Sequence, residues 1–393
     1  MTHQLHPFAD LRASRAAMAS FVVMGAVWGA IAAMVPDLRA ALEVSDSLFG
    51  LIMFTTAAVS AVAMMLAPRL GRALGARALP LATAAMAASL LMPGHLDAPL
   101  AFALAFALVG GTTGFVEVLM NDRVAGIEAA TGRPLMNLNH AGYSLSFFAT
   151  AVLTGLARDA GLSAAMVFSM VALVSAPLVL ISTEAPAAAR APDAPPPAGY
   201  GTAAGGGVAV LGALGGLVIL AASLAEAGTE TWSALHLERI LGASPAEGAL
   251  GPALLGLSMG LGRLAGQAVS RHVGEVVLMQ GGAGLAAAGA LLVAGAPSPG
   301  VAFAGFAMLG FGVSVIVPIA LAMVGRGAAE PVRATALAQA SVLGFVGYIA
   351  GPALMGLLSD LVSLRLSFLA VGVALLALPL LAPLLAWRAD PWR

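Results

Sequence analysis

The chemistry of this sequence is concentrated in a few ionisable and amide side chains stranded in long apolar runs. Glu117 and Asn121, in Gly110-Gly-Thr-Thr-Gly-Phe-Val-Glu117-Val-Leu-Met-Asn121-Asp122, are four apart and share one helical face. Glu117 lies roughly six residues from the end of its run, about 9 Å at the helical rise, too deep for a short side chain to reach headgroups. A charge held at such depth costs about 3 kcal/mol or more and is a functional candidate by default. Two roles fit: a carboxyl that loads and releases a proton, or a structural carboxylate bonded to a neighbouring helix. The first is preferred.

The next run opens Asn137-Leu-Asn139-His140-Ala-Gly-Tyr143-Ser144. His140, at a depth similar to Glu117, is either a bonded core histidine or part of a polar network with Asn139 and Tyr143. An ordinary imidazole pKa of about 6.5 suits a proton relay. A third cluster is Glu226-Ala-Gly-Thr-Glu230-Thr-Trp232, with Glu226 and Glu230 again on one face. Trp232 fits an interfacial belt or a stacking platform for a ligand, and Trp28 offers a second ring face. Arg263, in Met259-Gly-Leu-Gly-Arg263, is the one well-embedded arginine. It either bridges the two halves of the chain or reaches lipid headgroups.

Elements able to hold such groups in an apolar medium follow from composition. Of 393 residues 60% are hydrophobic and 9% charged, with mean hydropathy +0.97, whereas a soluble domain carries about 25% charged residues. Lipid must cover most of the surface. Apolar runs lie near 16–35, 48–66, 78–94, 99–124, 135–157, 162–182, 209–235, 247–269, 275–295, 299–325, 334–358 and 362–387. A crossing needs about 20 apolar residues as a helix. The expected fold is an all-α membrane protein of twelve transmembrane helices in two pseudo-symmetric six-helix halves.

Every basic residue is arginine, and most arginines fall on one side when both termini are cytoplasmic. A Pro/Ala/Gly-rich stretch at 183–207 reads as a cytoplasmic linker between halves at 1–182 and 208–393. The halves echo each other at an offset of about 200: Gly29 with Gly228, Ser45 with Ser244, Gly110 with Gly310. The polar N-terminus lacks a small-residue cleavage site, so no removable signal peptide is expected. A net charge of −1 gives no field for nucleic acid, and the absence of cysteine excludes thiolate metal sites and disulfides.

Glu117-x-x-x-Asn121, followed by Arg133-Pro-Leu-Met-Asn137-Leu-Asn139-His140, resembles the fucose permease and related branches of the major facilitator superfamily. There a fourth-helix Glu precedes an Asn by four, and a Leu-Asn-Leu-Ala-Gln stretch follows on the fifth helix. The resemblance implies Glu117 as the proton-carrying carboxylate, Asn121 as the amide after it, and His140 where the family has glutamine. A span-seven Glu followed by Trp is similar too. The superfamily's loop motif is degenerate in Pro68-Arg-Leu-Gly-Arg72-Ala-Leu-Gly75-Ala-Arg77, with Arg72 where an Asp is usual. Arg271 holds the equivalent place in the second half. These arginines are expected to pair with Glu128 and Glu330 and, with Arg263, to gate the inner face.

The expected activity is secondary transport of a small polar, sugar-like solute across a bacterial inner membrane, coupled to protons and working by alternating access. Asn121, Asn139, Tyr143, Glu226, Glu230, Trp28 and Trp232 would bind solute, and Glu117 and His140 would couple protons. The alternative is proton-driven export of drugs, lipophilic cations or metabolites, with Glu226 as counter-charge. A receptor without flux is a third class, disfavoured by the duplication. No HExxH, Gly-x-Ser-x-Gly or P-loop is present, so an enzyme is not expected. Expected partners are the solute, protons and lipid, with no cofactor, no metal and no nucleic acid, in a chain acting as a monomer.

Overall fold

In lipid every backbone N–H and C=O must find a partner within the chain, which leaves helices as the spanning form for apolar runs of this length. The computed structural model describes residues 7–184, 206–270 and 272–389, and among these there is no strand. The membrane helices are α1 (Arg15–Leu42), α2 (Asp46–Leu74), α3 (Ala78–Ser89), α4 (Pro99–Thr131), α5 (Met136–Asp159) and α6 (Ala164–Ile181). They continue with α7 (Gly206–Leu235), α8 (Leu250–Val269), α9 (Glu275–Gly295), α10 (Pro299–Val313, then Ile316–Gly327), α11 (Glu330–Leu361) and α12 (Leu364–Leu375, then Leu378–Ala389). Among the described residues nine helical segments are apolar and long enough to span a bilayer. One of them, Asp46–His95, contains both α2 and α3, while α5 and α8 have the length but carry more polar residues. Twelve crossings result. Most of the proposed linker, residues 185–205, and Arg271 lie outside the described residues.

The local signals that start helices recur at the offset of about 200. Pro99 and Pro299 occupy the first turn of α4 and α10, where proline's missing N–H costs nothing. Ser163 and Ser363 cap α6 and α12 by accepting from the N–H of Met166 and Leu366. The same repetition governs packing. A Cβ on Gly110 would collide with the carbonyl of Thr56 on α2, and one on Gly310 with the carbonyl of Leu255 on α8. Both glycines are small because two helix backbones meet there.

By contacts the chain separates into one unit of Met1–Glu43 and Thr55–Ala194 and another of Val44–Phe54 and Pro195–Arg393. In the first, α1 is central, with 83% of its apolar window buried, while α6, at 17%, faces outward. In the second, α7 and α11 pack backbone to backbone through Gly347 and Gly351 against Leu220 and Leu224. The first turns of α2 belong to this unit too: Gly50 meets Pro352, and Phe49 stacks edge-on to Trp232 at 6.0 Å. After α7 a single π turn, His236–Ile240, is followed by Gly242 at φ 67°. Such π turns concentrate where side chains must be re-aimed.

Candidate functional site

In the first unit the central group is Glu117 on α4. Its nearest polar partner is Asn121, one turn on, whose Nδ2 donates to Glu117 Oε1 at 3.1 Å and to its carbonyl at 2.8 Å. No arginine bonds the carboxyl among the described residues. Thr113, one turn before Glu117, is buried with its hydroxyl unbonded, so Thr113, Glu117 and Asn121 form one polar stripe on α4. On α5, His140 stands edge-on to Phe21 of α1 at 4.8 Å, and Tyr143 lies beside Phe147 at 6.1 Å. Asn139 is wholly buried; its Nδ2 donates to Leu135 O at 2.8 Å and its Oδ1 has no hydrogen-bond partner among the described residues. Being wholly buried, it is closed to solute in this structure, where solute contact was expected. Trp28 on α1 is partly buried.

In the second unit Glu226 on α7 faces a cation. Arg263 Nη2 on α8 lies 3.8 Å from Glu226 Oε1, with the two side chains 41% and 22% exposed. This pair lies inside one unit. Glu230, one turn further, has no hydrogen bond or ion pair among the described residues. Trp232 is sealed: it is 0% exposed and its Nε1 donates to Pro352 O at 2.9 Å. A tryptophan closed off on all sides packs α7 against α11 and offers no ring face to solute.

The expected gating pairs also change. Glu128 Oε1 accepts from the backbone N–H of Leu135 at 2.5 Å and of Met136 at 2.7 Å, so it caps the start of α5 across the turn at Gly132. A carboxylate at a helix N-terminus answers both the open N–H groups and the helix dipole. That local demand outcompetes a longer reach to Arg72. Arg72 and Glu330 are exposed and show no ion pair among the described residues. Arg326 bonds Glu275 instead, joining α10 to α9.

Two ion pairs at the far ends of the helices escaped the sequence reading. In the first unit Arg158 of α5 grips Asp37 of α1 through Nε at 2.8 Å and Nη2 at 2.6 Å, and donates to Ala33 O at 2.9 Å. In the second, Arg239 donates to both oxygens of Asp46 at 2.9 and 2.5 Å and to Ser359 Oγ at 3.0 Å. Ser359 in turn donates to Asp46 at 2.5 Å. Asp360 accepts from the N–H of Asp46 at 3.1 Å, from that of Ser47 at 2.8 Å, and from the Ser47 hydroxyl. One acid therefore caps α2 while its neighbour on that helix is clamped to the end of α7. Acids in the first turn of a predicted helix are the available signal, but nothing local names their partners.

The described residues form an all-helical membrane fold with repeated start signals and partly buried acids at mid-helix, and the comparisons with known proteins bear on its use. The profile of the Major Facilitator Superfamily matches residues 216–393. An uncharacterized MFS-type transporter of Yersinia pestis is 28% identical over 364 residues, 91% of each chain. The fold matches a bacterial homolog of the human lysosomal transporter Spinster at TM-score 0.75, with 15% identity and 98% of each chain covered. It matches a D-xylose-proton symporter at TM-score 0.70, with 14% identity over 94% of this chain and 96% of the other. The second half of the chain thus matches the Major Facilitator Superfamily, and the Yersinia relative and the solved structures that it resembles over nearly its whole length are transporters.

Proposed function

We propose that the chain is a proton-coupled secondary transporter of a small polar, sugar-like solute, working by alternating access, with Glu117 as the group that takes up and gives back the proton. The observation that supports this most is the partner of Glu117: a neutral amide at 3.1 Å and no cation among the described residues. In lipid a carboxylate so placed is neutralised by a proton, and removing that proton is the costly step to which transport is coupled. His140, in the same unit, is assigned to the relay. Asn121, Tyr143, Trp28, Glu226 and Glu230 are the solute-contacting groups, while Asn139 and Trp232 are reassigned to packing. Arginine placement supports termini in the cytoplasm of a bacterial cell with the chain in its inner membrane. The D-xylose-proton symporter of the same fold supports the sugar-like choice, as does the resemblance to the fucose permease branch.

The test has two stages. Thermal-shift screening of the purified protein against sugars, amino acids, siderophores and lipophilic cations identifies a ligand. Uptake of that ligand into proteoliposomes is then measured with an imposed pH gradient, with and without a protonophore. Accumulation above the external concentration that collapses with the protonophore is expected. Uptake indifferent to both gradient and protonophore rejects proton coupling, and stabilisation by lipophilic cations alone selects the exporter.

A further inference from the structure

Hydroxyls inside membrane helices ordinarily satisfy themselves by donating to a carbonyl a turn earlier. This chain follows that habit: Thr231 donates to Ala227 O at 2.9 Å, Ser258 to Leu255 O at 2.9 Å and Ser314 to Phe311 O at 2.7 Å. Thr229 and Ser233 on α7 break it. Both are 0% exposed, and neither hydroxyl has a hydrogen-bond partner among the described residues. His236, three residues on and also 0% exposed, faces Val293 O with Nε2 at 3.2 Å. A carbonyl only accepts, so Nε2 carries the hydrogen and Nδ1 is left as a bare acceptor, also without a partner among the described residues. The rings of Phe368 and Phe306 wall the imidazole at 4.8 and 6.5 Å.

These orphans fall on one line. Glu226, Thr229, Glu230, Ser233 and His236 recur at helical spacing along a single face of α7. One end of the line is the pair Glu226–Arg263. The other is the end of α9, where Val293 O receives His236 and Arg365 donates to Ala294 O and Ala296 O at 3.0 and 3.1 Å. Arg239 and Arg365 are the cations acting on His236 there. Buried polar atoms with no protein partner are met by internal water, which bonds two to four of them at once.

We propose that this face of α7 is hydrated, a file of internal waters running from Glu226 to His236 that carries protons to and from Glu230. The step is a hop: a water or hydroxyl in the file gives one proton to the Glu230 carboxylate and receives one from its neighbour. No other bond is made or broken. The file lies in the second unit and is independent of the assignment of Glu117.

Radiolytic hydroxyl-radical footprinting of the full-length protein in lipid nanodiscs tests hydration directly, because radicals form from the water beside a side chain. Trp232 is the internal control: it is equally buried, bonded to Pro352 O, and intrinsically more reactive than histidine. His236 should be modified several-fold faster than Trp232. In Thr229→Val/Ser233→Ala its modification should fall at least threefold while Trp232 stays protected, which also reports that the fold is intact. A His236 as protected as Trp232 in the unaltered protein overturns the file. Infrared hydrogen–deuterium exchange of the Glu230 carboxyl, isolated as the difference from Glu230→Gln, should slow several-fold in the same double variant. Hydration without that slowing overturns the proton role.

Discussion

Glu117 on α4 and Glu226 on α7 are both acids at mid-helix in lipid, yet their partners differ in kind. Glu117 is met by an amide at 3.1 Å, Glu226 by a guanidinium at 3.8 Å. An amide lends a dipole and leaves the net charge in place. A guanidinium cancels it. The first arrangement makes the protonation state the variable quantity. The second sets a cation beside the carboxylate, and on the reading proposed above a polar or cationic solute would compete with that arginine. On the proposed reading the two acids divide the work, one toward the coupling ion and one toward the cargo.

Breaking the second pair should have the larger consequence. Arg263→Met leaves Glu226 without a counter-charge and should reduce transport tenfold or more, with partial recovery in Glu226→Gln/Arg263→Met, measured as initial uptake rates in proteoliposomes. Unchanged transport in the single variant would erase the distinction between the two acids. Arg239→Ala removes the counter-charge of Asp46, whose side chain is 2% exposed and still accepts from Ser359, while the guanidinium itself is 34% exposed. The expected loss is therefore about 2–3 kcal/mol, below that of a fully buried pair, read as a fall in melting temperature in detergent. Asn121→Ala sharpens the first site: uptake should drop several-fold in the presence of Glu117 and no further when Glu117 is already glutamine, a coupling of about 1 kcal/mol. Glu128→Gln should be mildest, costing about 0.5–1 kcal/mol of stability through the weaker cap on α5 and leaving the pH dependence of uptake unaltered.

Much of the fold was legible because lipid imposes a simple code. Apolar run length gives the crossings, and residues recurring at an offset of about 200, Gly110 with Gly310 among them, mark the two halves. The Glu117–Asn121 bond was readable for the same reason, being a matter of four-residue spacing on one helix. What spacing cannot express is a partner on another helix. Asp46 and Arg239 are far apart in sequence and look like an acid at a helix start and an arginine in a loop. Only the packing of α2's first turns against α7 and α11 makes them a pair. Arg263 was visible as a cation inside an apolar run, but its choice of Glu226 was not, since two neighbouring helices had to be placed first. Glu128 misled for the opposite reason: its partners are seven and eight residues away, across the turn at Gly132, and an ion pair was sought at longer range.

The account turns on whether the lone acid of α4 exchanges its proton during transport. Proteoliposomes bearing Glu117→Gln should retain counterflow of labelled ligand at close to the unaltered rate and lose accumulation driven by an imposed pH gradient. Gradient-driven accumulation that survives the substitution undiminished would contradict the role given to Glu117.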